Sequence, residues 1–248
     1  MTIEHSGHRR DELANFRDVA PPGSSMSRWV RTGVLWRSDA PLPDDVAPSW
    51  AREHDDVVWP PGLVVDLRDV AEVGDAPHPL AGSGAEILNL PLAGSLAPAQ
   101  QLALRRGRIG LTELYRQLLG SADTWLPHLV SAVAHADGPT LVHCAAGKDR
   151  TGVSVALLLR LAGVPRAEIL ADYLATRDAL PDLRPRLGLD ETRLAVMEHL
   201  LDVSVPALTA VLEEVGADPV TFHRDRGVAA DDIARWQRRV RPGRAGGH

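Results

Sequence analysis

This sequence of 248 residues has very little of several residue types. It holds one cysteine, Cys144, so it cannot form an internal disulfide and does not indicate an oxidising compartment. It also holds one lysine, Lys148, and all its other basic residues apart from histidine are arginines. Aromatic residues make up 4% against 44% hydrophobic residues overall, so a core must consist mainly of Leu, Val and Ala.

Charge and hydropathy argue against two classes of protein. The net charge of −6 and the sequence pI of about 5.9 are not those of a typical nucleic-acid-binding protein. The longest apolar run, residues 155–159, is far shorter than the ~20 residues that span a bilayer. The polar start of the chain lacks the apolar core of a signal peptide. We therefore expect a cytoplasmic protein without stable membrane insertion, and leave signal-independent secretion and the oligomeric state open.

Apolar patterns predict alternating strands and helices. The expected strands are 34–36, 63–67, 87–90 and 140–143, and the expected helices are 47–52, 111–119, 126–133, 151–161, 165–179, 191–202, 205–215 and 229–240. These elements predict an α/β fold with a central, mixed and largely parallel sheet flanked by helices, and a helical C-terminal part. We expect one domain over 1–248, with a loose terminus (1–12), a catalytic core (13–180), a helical part (181–240) and a tail (241–248).

The only cysteine and the only lysine lie together in the stretch LVHCAAGKDRTGVSV, residues 141–155. A predicted strand leads into Cys144, and the small residues 145–147 allow successive backbone N–H groups to curl around one point. The helix that begins near Arg150 directs its free N–H groups at the same point, which is typical of an anion-binding nest. The same field favours a thiolate over a thiol.

Arg150 follows Cys144 by six residues, and its planar guanidinium can bind two oxygens of a phosphoryl group. A single cysteine after an apolar strand is more often a small buried hydrophobe. The spacing to Arg150 and the following Thr151 and Gly152 instead favour a nucleophilic phosphate site.

The motif HCAAGKDRTG resembles the signature loop of the protein-tyrosine-phosphatase superfamily. Its GKDRTG part resembles the bacterial atypical, lipid-phosphatase-like branch found in mycobacteria and other actinobacteria. Further segments agree with that branch in the same order, so the resemblance covers roughly residues 13–215. They are NFRDV (15–19), LWRSD (35–39), VDLR (65–68) with Glu72 after it, and ADYL (171–174).

The resemblance implies a role for each residue of the loop. Cys144 attacks phosphorus, Arg150 and the loop amides hold the phosphoryl oxygens, Thr151 assists the thiolate as it leaves, and His143 orders the loop from behind. The implied phosphate-binding residues are Ala145, Ala146, Gly147, Lys148, Thr151 and Gly152.

The general acid is less well defined by the sequence. Many members of the superfamily use a Trp-Pro-Asp loop, but here Trp59-Pro60 is followed by Pro61. The resemblance implies that Asp149 is the acid. Asp66 is the second candidate, because the end of its strand beside the loop could place it at the pocket. Alternatively, Asp149 orients Arg150 or the loop, and Asp66 forms a structural ion pair with Arg68.

Other charged positions have two interpretations each. Lys148 is either a solvated charge or a substrate contact. The group formed by Arg105, Arg106 and Arg108 is either a solvated helix end or a basic lip over the pocket. We expect the segment 15–18 to pack against the site rather than enter it. The ten histidines show no metal-ligand spacing, so we expect no metal and no cofactor.

These observations predict a cysteine-dependent phosphatase that acts on phosphotyrosine in proteins. Activity on phosphoserine, phosphothreonine or phosphoinositides is also expected, and phosphoinositides are an alternative main substrate. The partner is accordingly a phosphorylated protein or a phosphoinositide. Two alternatives from other classes are a sulfurtransferase, which also uses a cysteine on a strand-to-helix loop, and a phosphate-binding pseudoenzyme.

Overall fold

The computed structural model describes residues 12–49, 52, 58–92, 110–188 and 203–242. Several sequence predictions lie outside these residues: the terminus up to residue 11, the arginines Arg105, Arg106 and Arg108, the helix 191–202 and the tail from 243. The short helix expected at 47–52 is described only in part. Among the described residues, no helix combines the length and the apolar character that crossing a membrane requires.

The sheet contains β1 (Arg17–Asp18), β2 (Leu35–Ser38), β3 (Leu63–Asp66), β4 (Glu86–Asn89) and β5 (Thr140–His143). Its strand order is β1-β2-β5-β3-β4, and only β1 runs antiparallel to its neighbour. The predicted mixed, largely parallel sheet is therefore confirmed. Strands β2, β3 and β5 are wholly buried, which explains their β-prone, mainly apolar sequences. Strand β1 was not predicted, because two residues carry no periodic pattern.

The register brings three strands to an end at the same level. His143 of β5 pairs with Ser38 of β2 on one side and with Asp66 of β3 on the other. The segments that follow these strands therefore meet at one edge of the sheet. In open α/β sheets this carboxyl edge is where ligands bind.

Most of the predicted helices are confirmed, and one is wrong. The helices are α1 (Val70–Val73), α2 (Leu111–Gly120), α3 (Ala122–His135), α4 (Asp149–Leu161), α5 (Arg166–Leu174), α6 (Thr176–Arg186), α7 (Val205–Val215), α8 (Pro219–Asp225) and α9 (Ala230–Val240). The helix expected at 165–179 is divided into α5 and α6 at Ala175. At this break the Arg17 guanidinium donates hydrogen bonds to the carbonyl of Asp172 and to the hydroxyl of Thr176. Arg17 is distant in the sequence, so the local apolar pattern does not predict these bonds.

Helix α4 lies at the centre of the core and is buried along nearly its whole length. It ends in a Schellman motif, in which Val164 N–H donates to the Leu159 carbonyl and Gly163, at φ +84°, supplies the left-handed residue. Helix α9 packs against α3, and its Trp236 indole donates to the carbonyl of Leu158 in α4. The C-terminal helices are thus joined to the helix that follows β5.

Gly147 provides a test of how closely the loop after β5 packs. It has φ +65°, and a Cβ there would lie 2.1 Å from the Ser38 carbonyl oxygen. We expect Gly147→Ala to lower the free energy of unfolding by well over the roughly 1–2 kcal/mol of left-handed strain alone. Gly163→Ala is the matched control, because Gly163 also has positive φ but no atom within 4 Å of the added Cβ. Urea unfolding of both variants measures the difference, and equal losses would show that the close approach to Ser38 costs nothing.

Candidate active site

The backbone carbonyls of the loop after β5 are bound from outside the loop. Those of residues 144–147 each accept a hydrogen bond from a group behind the loop, and that of Lys148 accepts the first bond of helix α4. The donors are His143 Nδ1 to Cys144 (3.1 Å), Ala40 N to Ala145 (3.0 Å), Asn15 Nδ2 to Ala146 (3.0 Å) and to Gly147 (3.1 Å), Arg37 Nη2 to Gly147 (2.8 Å), and Gly152 N to Lys148 (2.8 Å).

This arrangement fixes the direction of the N–H groups. In a trans peptide the C=O of one residue and the N–H of the next lie in one plane and point in opposite directions. Carbonyls 144–147 point away from the centre of the loop, so the N–H groups of residues 145–148 point towards it. The N–H of Asp149 belongs to the free N-terminal turn of α4 and points the same way. The loop therefore presents five successive donors to one point, which is the geometry of an anion nest.

A buried ion-pair network holds the two side chains that bind the loop from behind. Arg37 donates to Asp172 Oδ2 at 2.6 Å, and Arg17 donates to Asp172 Oδ1 at 2.9 Å and to Asn15 Oδ1 at 2.5 Å. Burial alone would raise the pKa of Asp172, but the two guanidinium groups lower it below its usual value. The segment 15–18 thus packs behind the loop, as predicted, together with the segments that contain Arg37 and Asp172.

Arg150 is buried and held by a carboxylate from another segment. Its Nη1 and Nη2 donate to the two oxygens of Glu72, at 2.5 and 2.7 Å, and Nη1 also donates to the Leu67 carbonyl. Burial would lower the pKa of Arg150, but Glu72 and the nearby Cys144 raise it above its usual value. Glu72 is itself fixed by a capping box with Asp69 at the start of α1.

Two buried polar atoms beside Cys144 in the sequence motif lack a partner among the described residues. They are Nε of Arg150 and Oγ1 of Thr151. Cys144 itself is 3% exposed. Unsatisfied buried donors are rare in folded proteins, because their desolvation is not compensated. These two donors are therefore available to a ligand bound in the loop.

Asp149 lies at the first turn of α4 and is held through one oxygen. Its Oδ1 accepts from the Tyr115 hydroxyl at 2.7 Å and from the Lys148 ammonium at 2.8 Å. Tyr115 is fully buried in α2, and burial together with Asp149 raises the pKa of its hydroxyl well above 10.0. Tyr115 therefore stays protonated and donates to Asp149, while the Tyr173 hydroxyl lies 2.8 Å from that of Tyr115. The Lys148 side chain is 1% exposed and does not project into solvent.

Asp66 and Arg68 form the ion pair that the sequence analysis offered as one alternative. Arg68 Nε and Nη2 donate to the two oxygens of Asp66, and the Arg68 N–H adds a third bond. Burial would raise the pKa of Asp66, but Arg68 and the neighbouring His143 lower it. Arg68 thus binds both oxygens of Asp66, whereas Tyr115 and Lys148 bind one oxygen of Asp149.

One group of described residues has the donor atoms for a metal ion. Oxygen or nitrogen atoms of Asp66, His78 and His143 lie within 4.8 Å of one another, although the histidine spacing in the sequence predicts no such cluster. Arg68 already occupies both oxygens of Asp66, and the Nε2 atoms of the two imidazoles are 3.0 Å apart in a hydrogen bond to each other. These ligands are engaged with other partners, so we assign no metal here.

Two residues that contact the site, Tyr115 and His78, lie outside the motifs of the sequence. Tyr115 reaches Asp149 from 34 residues away, and His78 reaches His143 from 65 residues away. Neither lies in a recognisable motif, and in the sequence Tyr115 fits the apolar face of a helix. Only the packing of α2 and of the segment before β4 brings them to the loop.

Comparison with known proteins agrees with the geometry of the loop. A model of the tyrosine phosphatase family matches residues 8–241. The chain is 33% identical to the triple specificity protein phosphatase PtpB of Mycobacterium tuberculosis, over 86% of this chain and 95% of that protein. It is 37% identical to a tyrosine-protein phosphatase of Nostoc commune, over 45% of this chain and 38% of that protein. The family match extends over nearly the whole sequence, and the chain therefore belongs to the tyrosine phosphatase family.

Proposed function

We propose that this chain hydrolyses phosphotyrosine in proteins through a phosphocysteine intermediate on Cys144. The observation that supports this most directly is the outward direction of carbonyls 144–147, which together with the first turn of α4 leaves five N–H groups around one point. A phosphoryl group placed there would lie between a cysteine, a guanidinium and the N-terminus of α4. That combination suits nucleophilic displacement at phosphorus.

In the first step the Cys144 thiolate attacks phosphorus, and the bond between phosphorus and the tyrosine oxygen breaks. The phenol oxygen leaves with a proton from Asp149. The loop amides of residues 145–149 and the Arg150 guanidinium bind the non-bridging oxygens, whose charge is stabilised throughout the displacement. Glu72 keeps the guanidinium plane in place for this contact.

In the second step water attacks phosphorus, and the bond between phosphorus and Sγ of Cys144 breaks. Asp149, now a carboxylate, takes a proton from the water, and inorganic phosphate is released. The free Thr151 hydroxyl donates a hydrogen bond to the departing thiolate. The enzyme returns to its starting protonation state without a metal or cofactor.

The role of Asp149 rests on its position and on the residues that hold it. It precedes Arg150 in the loop, and Tyr115 and Lys148 both bind the same oxygen. These bonds fix the carboxyl group beside the loop, where the proposed mechanism needs a proton donor to the leaving oxygen.

Two alternatives from other classes fit the site less well. A sulfurtransferase needs a reactive cysteine but no phosphoryl-binding guanidinium, whereas Arg150 is fixed at the loop by a bidentate carboxylate. A pseudoenzyme that only binds phosphate would need neither a nucleophile nor an acid, and this chain has candidates for both.

The proposed range of substrates is supported by the burial of Cys144 and by the relative named above as a triple specificity phosphatase. Cys144 is 3% exposed, so a phosphoryl group must reach inwards, which the long phosphotyrosine side chain does best. We propose lower activity on phosphoserine, phosphothreonine and phosphoinositides. The Lys148 ammonium donates to Asp149, so its contact with a second phosphate would require this ammonium to exchange partners.

We also propose that the chain forms one domain, with a catalytic core over 13–180 and a helical part over 181–240. The packing of α9 on α3 supports a single domain. The hydrogen bonds from Trp236 and Gln237 to carbonyls of α4 support it as well.

Replacement of the proposed nucleophile tests the covalent mechanism. We expect Cys144→Ser to lower kcat for p-nitrophenyl phosphate by at least about 10³-fold, because a serine hydroxyl is hardly ionised at neutral pH. Binding of vanadate should persist, because the loop amides and Arg150 remain. Activity within tenfold of the wild type would contradict the phosphocysteine, and thiosulfate sulfur transfer by the wild type would support the sulfurtransferase instead.

Asp149→Asn tests proton donation through its dependence on the leaving group. General acid catalysis contributes about 10²- to 10⁴-fold where the leaving group needs a proton. We expect a loss of that size with phosphotyrosine, whose phenol has a pKa near 10, and a much smaller loss with p-nitrophenyl phosphate. Tyr115→Phe, which keeps the carboxyl group and removes one donor to it, should give a weaker version of the same pattern. Equal losses with both substrates would indicate that Asp149 only orients the loop.

A substrate panel tests the proposed preference. We expect kcat/KM for a phosphotyrosyl peptide to exceed that for the matched phosphoseryl and phosphothreonyl peptides by more than about tenfold, since the shorter side chains cannot reach the buried thiolate as well. Short-chain phosphoinositides measured beside them provide the comparison with lipids. A higher kcat/KM for any phosphoinositide would reverse the proposed main activity and leave the chemistry of Cys144 unchanged.

A further inference from the structure

We propose that His78 is a positioning residue for the active-site loop, which acts by holding one tautomer of His143. This inference rests on the proposed function, because its consequences are measured at the loop that carries Cys144. His78 is hydrogen-bonded to the Leu80 N–H and to His143. Its effect passes through the His143 imidazole to the Cys144 carbonyl.

The hydrogen bonds around the two imidazoles assign every ring proton. The Leu80 N–H donates to His78 Nδ1 at 3.1 Å, so this nitrogen is an acceptor and the His78 proton is on Nε2. That Nε2–H faces Nε2 of His143 at 3.0 Å, which must therefore accept. His143 then carries its proton on Nδ1, which lies 3.1 Å from the Cys144 carbonyl oxygen. The three hydrogen bonds are therefore donated in one direction: from the Leu80 N–H to His78, from His78 to His143, and from His143 to the Cys144 carbonyl.

The other protonation states of His143 would break this series. A proton on Nε2 would face the Nε2–H of His78, and a bare Nδ1 would place its lone pair against the Cys144 carbonyl oxygen. The imidazolium form would meet the same conflict with His78. Burial lowers the pKa of His143 to about 4 although the nearby Asp66 acts in the opposite direction, and this agrees with a neutral ring.

The charged groups that face this pair favour the same tautomer. Asp66 Oδ1 lies 3.8 Å from His143 Nδ1, too far for a hydrogen bond but close enough to favour a proton on that nitrogen. Arg68 neutralises Asp66, so the carboxylate does not draw the proton away from the Cys144 carbonyl. His78 acts in the same direction as Asp66, because its Nε2–H requires Nε2 of His143 to accept.

The consequence for the active site follows from the peptide geometry of the loop. The bond from His143 turns the Cys144 carbonyl outward, and the N–H of Ala145 points inward for that reason. If His143 changed tautomer, the lone pair of its Nδ1 would repel the Cys144 carbonyl oxygen and displace the first peptide of the nest. Anion binding and thiolate reactivity would then fall together, although neither residue touches the anion.

A pair of amide substitutions separates this role from a purely structural one. In His78→Gln the side-chain amide nitrogen can occupy the place of Nε2 and donate to His143. In His78→Asn the shorter amide can accept the Leu80 N–H, which supports the turn, but cannot reach His143. A role in the turn alone predicts that Asn restores function and Gln does not, whereas positioning predicts the reverse.

We expect His78→Asn to lower kcat/KM and to weaken vanadate inhibition, each by roughly tenfold, the effect of one lost hydrogen bond. His78→Gln should stay within about threefold of the wild type in both measurements. Equal behaviour of the two variants, or rescue by Asn instead of Gln, overturns the proposal. If the wild type shows no turnover, vanadate binding is measured in place of vanadate inhibition. The inference about His78 can then be tested even when the proposed phosphatase activity is absent.

Nitrogen NMR of the wild-type chain with ¹⁵N-labelled histidine tests the same inference without any effect of a substitution on folding. The two ring nitrogens of a neutral imidazole resonate apart, and the His143 signals are identified by their loss in His143→Gln. We expect His143 to be protonated on Nδ1 and His78 on Nε2 at neutral pH. An Nε2-protonated or fully protonated His143 would overturn the proposal.

Discussion

The loop after β5 depends on one covalent constraint, the opposite directions of C=O and N–H in a trans peptide. Groups behind the loop bind its carbonyls, and the N–H groups are thereby directed at the centre of the loop. Asn15 and Arg37 provide the central bonds of this kind. An anion site made in this way is preorganised, since the donors are already in position when the ligand arrives.

Burial of charged side chains around the loop costs desolvation energy, and each of these charges is paired with one of opposite sign. Asp172 is matched by Arg17 and Arg37, and Glu72 is matched by Arg150. Buried ion pairs contribute little net stability, because desolvation offsets most of their attraction. Their geometric value is larger here: each bidentate or shared contact fixes a guanidinium plane, so that Arg37 holds the loop and Glu72 holds the Arg150 side chain.

The only lysine in an arginine-rich chain occupies a position that suits a compact cation. The Lys148 ammonium is buried beside Asp149, where the Tyr115 hydroxyl shares the same carboxylate oxygen. A guanidinium is larger and planar, and it favours two-oxygen contacts over a single shared oxygen. The space and the hydrogen-bond pattern around Asp149 therefore suit a lysine at position 148. At position 150 a guanidinium is required, because Glu72 accepts hydrogen bonds from two of its nitrogens.

The sequence by itself determined the strands β2 to β5, most of the long helices and the loop motif, because each rests on local periodicity or on residues close together in the chain. Asn15, Arg37, Glu72 and Asp172 lie in or directly after the segments that resemble the family. The sequence did not show which groups these four residues contact. Only the tertiary structure decided that Asp66 is paired with Arg68, that Lys148 turns to Asp149, and that Tyr115 and His78 reach the loop. These contacts join residues on separate elements, and hydrogen-bond partners between such elements depend on register and packing, which no local pattern records.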